Sequence, residues 1–262
     1  MSTEKILVTG AAGKTGQAII RALAKRNMHV RALIYQSDQD LIVRSAGADE
    51  TISGDMRSEQ VLLQALQEVK LVYHICPNMS PDELEIGKTL ISAAQKTGLE
   101  RIVYHSVLHP QVEDMPHHWQ KLRMEEQLFK SKLPFTILQP AAYMQNVLGY
   151  WRSMLEVGIF SVPYSVDAPQ SMVDLEDVAE AAARVITEAG HEFATFELCG
   201  SQALSARDVA EAMCRLLEKP VQAVRQDPHD WEQKARASGM DEQTMTGLLK
   251  MFAYYDHFGF TG

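Results

Sequence analysis

Glycine recurs at every third position in Gly10, Gly13 and Gly16, between the apolar run Ile6–Val8 and a stretch with helical periodicity. The apolar run suits a buried parallel strand, and Gly10 permits a sharp turn at its end. Gly13 lets the backbone approach a diphosphate, and Gly16 lets the next helix lie close to the sheet. The N–H groups and positive dipole end of that helix then face the anion. The spacing predicts a dinucleotide-binding loop, with these candidate ligands: Gly10, Ala12, Gly13, Lys14, Thr15 and Gly16.

The residue that ends the second strand of such a fold selects the cofactor. An acid there binds the ribose hydroxyls of NAD, whereas a base pairs with the 2′-phosphate of NADP. Tyr35, Gln36 and Ser37 occupy this place, and none of them carries a charge. Tyr35 could stack on the adenine, while Lys14 and Arg57 could supply positive charge near a phosphate. We therefore expect NADP, with NAD as the alternative.

Apolar runs alternate with helical patterns through the first half of the chain, which predicts a parallel sheet with helices on both faces. The predicted strands are Lys5–Thr9, His29–Ile34, Glu50–Ser53, Leu71–Ile75, Arg101–Ser106 and Phe135–Gln139. The predicted helices between them are Lys14–Arg26, Ser58–Leu66, Pro81–Thr97 and Trp119–Ser131. This order is that of a Rossmann-type, doubly wound α/β domain.

After Pro140 the pattern changes and does not repeat the first half. The predicted helices are Gln145–Glu156, Leu175–Glu188, Ala206–Leu217, His229–Ser238 and Glu242–His257. The predicted strands are Gly158–Val162, Ser171–Val173, Phe193–Leu198 and Val221–Arg225. We therefore expect an NAD(P)-binding Rossmann domain over residues 1–140. Residues 141–262 are expected to form a smaller α/β substrate or partner lobe, interleaved with the Rossmann core at the carboxyl edge of the sheet.

Composition excludes several other classes of protein. The 262 residues are 46% hydrophobic and carry a net charge of −9, which argues against a nucleic-acid-binding surface. Cys76, Cys199 and Cys214 lack the spacing of metal ligands, so we expect no metal site and reduced thiols in the cytoplasm. We expect neither a signal peptide nor a membrane segment, because no apolar run reaches about 18 residues.

Three further segments accompany the glycine loop: Leu133–Pro140, Tyr143–Asn146 and Val173–Ala179. With them the sequence resembles the NmrA-like family of atypical short-chain dehydrogenases/reductases over nearly the whole chain. Members of that family combine a Rossmann domain with a small C-terminal lobe and bind NAD(P). They divide into reductases and redox-sensing regulators.

The resemblance implies further cofactor ligands at the ends of the third, fourth and fifth predicted strands. Relatives place an acid against the adenine amino group where this chain has Asp55, followed by Met56. The alternative is that Asp55 forms the turn that starts the next helix. The segment Cys76-Pro77-Asn78 should pass beside the cofactor riboses, although Cys76 could simply be a buried apolar residue. Ser106 is expected to lie near the active site.

The predicted catalytic region departs from the wider short-chain dehydrogenase pattern. Those enzymes use Tyr-x-x-x-Lys, in which the lysine holds the nicotinamide ribose and lowers the pKa of the tyrosine. Here Lys121 is retained, and His117 stands in the place of the tyrosine. Histidine is a reasonable proton donor, but neighbouring histidines before a helix are also ordinary. Glu125 should share a helix face with Lys121, and Tyr143 could donate its hydroxyl to substrate or serve as an aromatic lid.

These residues imply an NAD(P)H-dependent reductase of an apolar carbonyl, quinone or conjugated small molecule. The alternative is a non-catalytic NAD(P)-sensing regulator that binds a protein partner, which the missing tyrosine favours. A sugar-nucleotide epimerase is a more distant possibility, because such enzymes ordinarily rely on that tyrosine. The sequence leaves open whether the protein is a monomer or a homodimer.

Overall fold

The computed structural model describes residues 4–262. The strands are β1 Lys5–Val8, β2 His29–Ile34, β3 Glu50–Ser53, β4 Leu71–His74, β5 Arg101–His105, β6 Phe135–Pro140, β7 Ala142–Tyr143, β8 Ile159–Val162, β9 Gln170–Val173, β10 Ala194–Leu198, β11 Ala203–Leu204 and β12 Gln222–Arg225. The α-helices are α1 Lys14–Lys25, α2 Asp40–Ala46, α3 Glu59–Ala65, α4 Glu83–Thr97, α5 Pro116–Ser131, α6 Trp151–Val157, α7 Leu175–Thr187, α8 Ala206–Leu217, α9 Pro228–Ala237 and α10 Glu242–Phe258. Two 3₁₀ helices cover Ser37–Gln39 and Met144–Tyr150.

The chain divides into two compact units. The first contains the described residues up to Pro110 together with Gln120–Pro140 and Leu175–Leu198. The second contains Gln111–Trp119, Ala141–Asp174 and Cys199–Gly262. The chain passes from the first unit to the second between Pro140 and Ala141, where the sequence placed the domain boundary. The chain also returns to the first unit for α7 and β10, which the sequence assigned to the smaller lobe.

The first unit is built on a parallel sheet in the order β10-β6-β5-β4-β1-β2-β3. Val8 of β1 pairs with Tyr73 of β4 on one side and with Ala32 of β2 on the other. The strand order reverses at β1, so the carboxyl ends of β1 and β4 open the crevice where such sheets bind ligands. The predicted Rossmann-type fold is confirmed, with β10 as its seventh strand.

One part of the core of the first unit lies between the sheet and the helices α3, α4 and α5. Leu7, Leu33 and Tyr104 of the strands are buried in one cluster with side chains from α3, α4 and α5. Ile6, Leu7 and Val8 are all fully buried, which explains why an uninterrupted apolar run forms the central strand.

The second unit contains two small sheets. In one, β9 lies between β7 and β11, and in the other β8 pairs with β12. Around the second sheet, Met154, Phe160 and Val209 form a buried cluster. At the end of the chain, Phe260 N donates to Pro169 O at 2.8 Å, and Ser171 N donates to Phe260 O at 2.8 Å.

Some elements differ from the prediction. The sequence missed α2, whose seven residues bury only Val43 and Ala46 and are too short to show helical periodicity. Helix α5 begins at Pro116 rather than at Trp119, so His117 lies inside the first helical turn and not in a preceding loop. Among residues 4–262, none of the helices combines the length and apolarity needed to cross a membrane.

Candidate cofactor and active site

The glycine loop has the predicted strand–turn–helix geometry. Gly10 adopts a positive φ of 58°, and a Cβ placed on it would lie 2.8 Å from the carbonyl oxygen of Ile75. A Cβ on Gly16 would lie 2.4 Å from the carbonyl oxygen of Gly10. Both glycines are therefore required by the packing of the loop itself.

Gly13 is different, because the protein does not crowd it. It precedes α1 with φ −71° and ψ 164°, a conformation open to any residue. Apart from Gly13 itself and its two chain neighbours, the one described atom within 4 Å of a Cβ placed there is Gly10 O, at 3.3 Å. The first turn of α1 holds no acidic residue, so its N–H groups can receive an anion. The absence of a side chain at Gly13 keeps the approach to this helix end open.

The end of β2 forms an exposed rim. Tyr35 is 63% exposed, and its backbone N–H donates to Gln39 Oε1 at 2.9 Å. Gln36 N donates to the same oxygen at 3.3 Å, and Ser37 begins the 3₁₀ turn. The Tyr35 ring is therefore presented to solvent beside a fixed turn.

Arg57, one of the two residues expected to supply positive charge near a phosphate, is paired with two carboxylates. Its Nε donates to Asp82 Oδ2 at 2.8 Å, and its Nη1 donates to Asp55 Oδ2 at 3.3 Å. These carboxylates raise the pKa of Arg57 and offset its charge. Arg57 is thus a weaker source of positive potential than its sequence position suggests.

Asp55 forms the turn before α3. Its Oδ1 accepts from Arg57 N at 2.9 Å, and Ser58 caps the helix by accepting from Val61 N at 3.4 Å. The neighbouring Met56 packs against the buried cluster of the first unit. Asp55 therefore stabilises the turn that starts α3. The Met56 side chain faces the core.

The segment after β4 combines a buried thiol with an exposed turn. Burial and the neighbouring Glu83 raise the pKa of the Cys76 thiol, which makes it an inert side chain at neutral pH. Pro77 and Asn78 are exposed, and Ser80 N donates to Pro77 O at 3.2 Å. Of this segment, only the turn is accessible to a ligand.

Lys121 is buried, with 9% of its surface exposed. Its Nζ donates to Glu83 Oε1 at 3.0 Å and to the backbone oxygen of His105 at 3.1 Å. The same atom lies 5.2 Å from the centre of the Tyr104 ring. The lysine predicted to hold the cofactor is therefore fixed by three groups at the carboxyl end of β5 and the start of α4.

Close packing of two helices makes the contact between Lys121 and Glu83 possible. A Cβ on Gly87 of α4 would lie 1.8 Å from the sulfur of Met124 on α5. Glu83 lies one turn before Gly87, and Lys121 lies one turn before Met124. A glycine in the middle of α4 costs about 1 kcal/mol of helix propensity, but it lets α5 approach closely enough to form the ion pair.

Glu83 was not predicted as a site residue. It is 3% exposed and continues the buried stripe of Ile86 and Leu90 along α4. A carboxylate on such a stripe is a sequence signal for a buried partner, because isolated charges are rarely buried. Burial alone would raise the pKa of Glu83, but the Lys121 ammonium and the hydrogen bonds from Tyr104 and Lys121 lower it overall.

Tyr104 does not replace the missing catalytic tyrosine. Its hydroxyl donates to Glu83 Oε1 at 2.7 Å. Burial, together with the negative charge of Glu83, raises the pKa of Tyr104 well above 10. This hydroxyl therefore stays protonated and orients Glu83.

Two buried histidines flank the ion pair at the ends of β4 and β5. His74 Nδ1 lies 2.9 Å from Thr9 Oγ1, and His105 Nδ1 lies 2.7 Å from Tyr73 Oη. Burial and the Lys121 charge lower the pKa of His105 to about 3, while burial lowers that of His74 to about 4. Both rings are neutral at physiological pH and are poor proton donors.

Glu125 and Lys121 lie one turn apart on α5 but have different partners. Gln139 Nε2 donates to Glu125 Oε1 at 2.9 Å, and the buried Ser106 hydroxyl donates to the same oxygen. Burial raises the pKa of Glu125 overall. The hydroxyl of Ser106 is therefore engaged with Glu125.

The other two predicted catalytic residues belong to the second unit. The half-buried His117 ring meets the His118 ring edge to face at 4.4 Å, and His118 meets Phe260 in the same way at 5.4 Å. Tyr143 is half-buried in β7, where it pairs with Val173 of β9. The glycine loop, Tyr35, Asp55 and Lys121 all lie in the first unit.

Comparisons with known proteins agree with this architecture. The model of the NmrA-like family matches residues 2–262. The NAD(P)H azoreductase of Xenophilus azovorans is 28% identical over 249 residues, which cover 95% of this chain and 86% of that protein. An NADPH-dependent quinone oxidoreductase from Escherichia coli, whose structure was solved in complex with NADPH, is 25% identical in sequence. Its structure superimposes with a TM-score of 0.84, over 96% of this chain and 89% of that one. The triphenylmethane reductase of Citrobacter sp., complexed with NADP(H), shares the fold with a TM-score of 0.84 at 21% identity, over 97% of this chain and 90% of that one.

Proposed function

Since the chain belongs to the NmrA-like family, we propose that it is an NADPH-dependent oxidoreductase that reduces quinones, azo compounds or similar conjugated molecules. The relatives named as azoreductase and quinone oxidoreductase support this substrate class. NADP is the expected cofactor, with NAD as the alternative. The buried Cys76 thiol fits a reducing compartment such as the cytoplasm.

The observation that carries the proposal is the contrast between the three glycines of the loop. Packing within the protein requires Gly10 and Gly16, whereas Gly13 faces little but one carbonyl oxygen. A glycine that the fold does not require is expected where a ligand needs the space. The adjacent start of α1 supplies the N–H groups and dipole that stabilise a diphosphate.

When bound, NADPH supplies the hydride. Reduction of a quinone to a hydroquinone consumes one hydride and one proton, so the protein must orient the cofactor and provide the proton. We assign the first task to Lys121, whose ammonium is fixed beside the end of β5 and could donate to a ribose hydroxyl. We assign the proton to a ring nitrogen of His117, because histidine side chains ordinarily titrate near neutral pH. Tyr143 is proposed as a hydroxyl donor to substrate.

The alternative is an NADP(H)-sensing regulator that binds a protein partner. Two observations favour it: histidine replaces the usual tyrosine, and the charge of Lys121 is balanced by Glu83. A hydride acceptor whose product is stabilised by delocalisation makes less demand on the missing tyrosine than a simple carbonyl does. The reductase therefore remains the better proposal.

Oxidation of NADPH by the purified protein tests the two functions. Rapid mixing of the NADPH complex with quinones, azo dyes and triphenylmethane dyes should consume NADPH faster than buffer does, and simple aldehydes should react least. The Gly13→Val variant is the control for activity that does not need the site. No consumption with any acceptor, together with NADP(H)-dependent binding of a cellular protein, would establish the regulator instead.

A further inference from the structure

We propose that Glu83 is a positioning residue, which holds the Lys121 ammonium where it can bind the cofactor. The inference rests on the proposed function, in which Lys121 donates to the nicotinamide ribose. It adds a residue from α4, a helix on which the sequence had placed no part of the site. Glu83 itself is 3% exposed and acts through Lys121.

The hydrogen bonds of Lys121 define what this arrangement can do. An ammonium has three N–H donors. One is directed to Glu83 Oε1 at 3.0 Å and a second to His105 O at 3.1 Å. Within the part of the chain that the structure describes, these two acceptors leave one donor for a ligand. The side chain therefore offers a single hydrogen bond from a fixed point.

Tyr104 fixes the carboxylate in turn. Its hydroxyl donates to the same Oε1 atom at 2.7 Å, and its ring lies beneath the Lys121 ammonium at 5.2 Å. The Oε1 atom thus has two donors from two different elements, β5 and α5. Glu83 lies on the buried face of α4 with Ile86 and Leu90, where an apolar residue would be expected. Its contacts with Tyr104 and Lys121 explain why an acid stands there.

Because the Lys121–Glu83 pair is neutral overall, Lys121 should contribute to cofactor binding through the position of its N–H donor more than through long-range charge attraction. Glu83 balances Lys121, so the ammonium adds little net positive potential to attract a phosphate. Without the carboxylate, a buried ammonium is left unpaired and is driven to move towards water. A Glu83 variant should therefore misplace the donor while the rest of the cofactor site is unchanged.

Glu83→Gln is the direct test, since it keeps the shape of the side chain and removes its charge. We expect it to weaken NADPH binding about tenfold or more, the effect of losing one hydrogen bond from a charged group. The KM for NADPH should rise with the dissociation constant, whereas the KM for the quinone should not. Glu59→Gln is the matched control, because Glu59 also accepts from a lysine and a hydroxyl, Lys96 and Ser92, in an exposed ion pair. It should bind NADPH as the wild type does.

A double-mutant cycle separates positioning from a merely structural role. In a Lys121→Met background, Glu83→Gln should cause no further loss of NADPH affinity, because both substitutions remove the same donor. The double variant replaces a buried ion pair with neutral groups, an exchange that proteins often tolerate.

Tyr104→Phe serves as the second variant should Glu83→Gln alone fail to fold, since it removes only the hydroxyl that orients Glu83. It should weaken NADPH binding a fewfold when Lys121 is present. In the Lys121→Met protein it should have no effect on NADPH binding, because the donor that Glu83 positions is already gone.

Two results would overturn the inference while leaving the proposed function intact. One is a folded Glu83→Gln protein that binds NADPH as tightly as the Glu59→Gln control. The other is a loss of affinity that adds to that of Lys121→Met. If instead Lys121→Met binds NADPH like the wild type, or the wild type does not bind it, the role of Lys121 in the proposed function fails and this inference fails with it.

Discussion

Gly13 and Gly16 lie one helical turn apart, yet only Gly16 is packed too closely to carry a side chain. A Cβ on Gly16 would lie 2.4 Å from Gly10 O, compared with 3.3 Å for a Cβ on Gly13. We therefore expect Gly13→Val to fold and to bind NADPH about 100-fold more weakly or worse, because its branches would occupy the diphosphate approach. Titration calorimetry measures the dissociation constant of NADPH, and thermal unfolding measures the stability of the fold.

Gly16→Ala is the contrasting variant. Its methyl group would collide with backbone oxygens of Gly10 and Ala11, which cannot move without opening the loop. It should lower the melting temperature, whereas Gly13→Val should not. A stable Gly13→Val protein with wild-type NADPH affinity would contradict the assignment of this loop.

The ion pair between Lys121 and Glu83 predicts a pH-dependent stability. In the wild type the pKa of Glu83 lies below 4.5, so the ionised carboxylate stabilises the folded protein above pH 4.5, and this contribution is lost as the pH falls through the folded pKa. Lys121→Met leaves Glu83 buried without its main partner, so its pKa should rise above 4.5. The variant should be about 3–5 kcal/mol less stable than the wild type at neutral pH.

That difference in unfolding free energy should shrink as the pH falls from neutral towards 4.5, because protonation relieves the unpaired carboxylate in the variant. Urea unfolding across this range measures it. Lys96→Met is the control, because it breaks the exposed ion pair between Lys96 and Glu59. Its unfolding free energy should differ little from that of the wild type at every pH. A constant difference for Lys121→Met would show that the loss comes from packing rather than from charge.

The sequence predicted the features that depend on neighbouring residues. Ile6–Val8 and the three glycines lie within one strand–loop–helix unit, so local pattern determines their conformation. The same holds for the alternating strands and helices, from which the sheet followed. Strand β10 was predicted as a strand, but its place in the large sheet was not. It pairs with β6, with Ala194 opposite Thr136, and no local pattern connects these distant parts of the chain.

The chemistry of the site depended on such distant contacts. Lys121 was identified from its spacing after His117, but its partner Glu83 lies 38 residues away on another helix. The contact requires Gly87 to meet Met124, a relationship that neither helix reveals alone. Glu125 was expected to share a helix face with Lys121, and both side chains are buried one turn apart, but the hydrogen-bond partners of Glu125 are Gln139 and Ser106, which the spacing along α5 does not reveal.

Cofactor preference should be modest. Tyr35, Gln36 and Ser37 supply neither an acid to repel a 2′-phosphate nor an arginine to bind it, and Arg57 is already paired with Asp55 and Asp82. We expect NADPH to bind more tightly than NADH, and Lys14→Ala to reduce the ratio of the two dissociation constants by no more than about fivefold. Lys25→Ala, at the other end of α1, is the control. Tenfold tighter binding of NADH would reverse the assignment.

His117→Phe should separate turnover from cofactor binding. A proton donor acts mainly in the transition state, so its loss should leave the dissociation constant of NADPH unchanged and slow quinone reduction about 10²-fold or more. Phenylalanine retains the edge-to-face contact with His118. His257→Phe is the matched control, because His257 also packs edge to face against its neighbour, Phe258 at 4.3 Å, and has no assigned role. Pre-steady-state oxidation of NADPH by a quinone measures the rate, and equal rates for the two variants would exclude His117 as the proton donor.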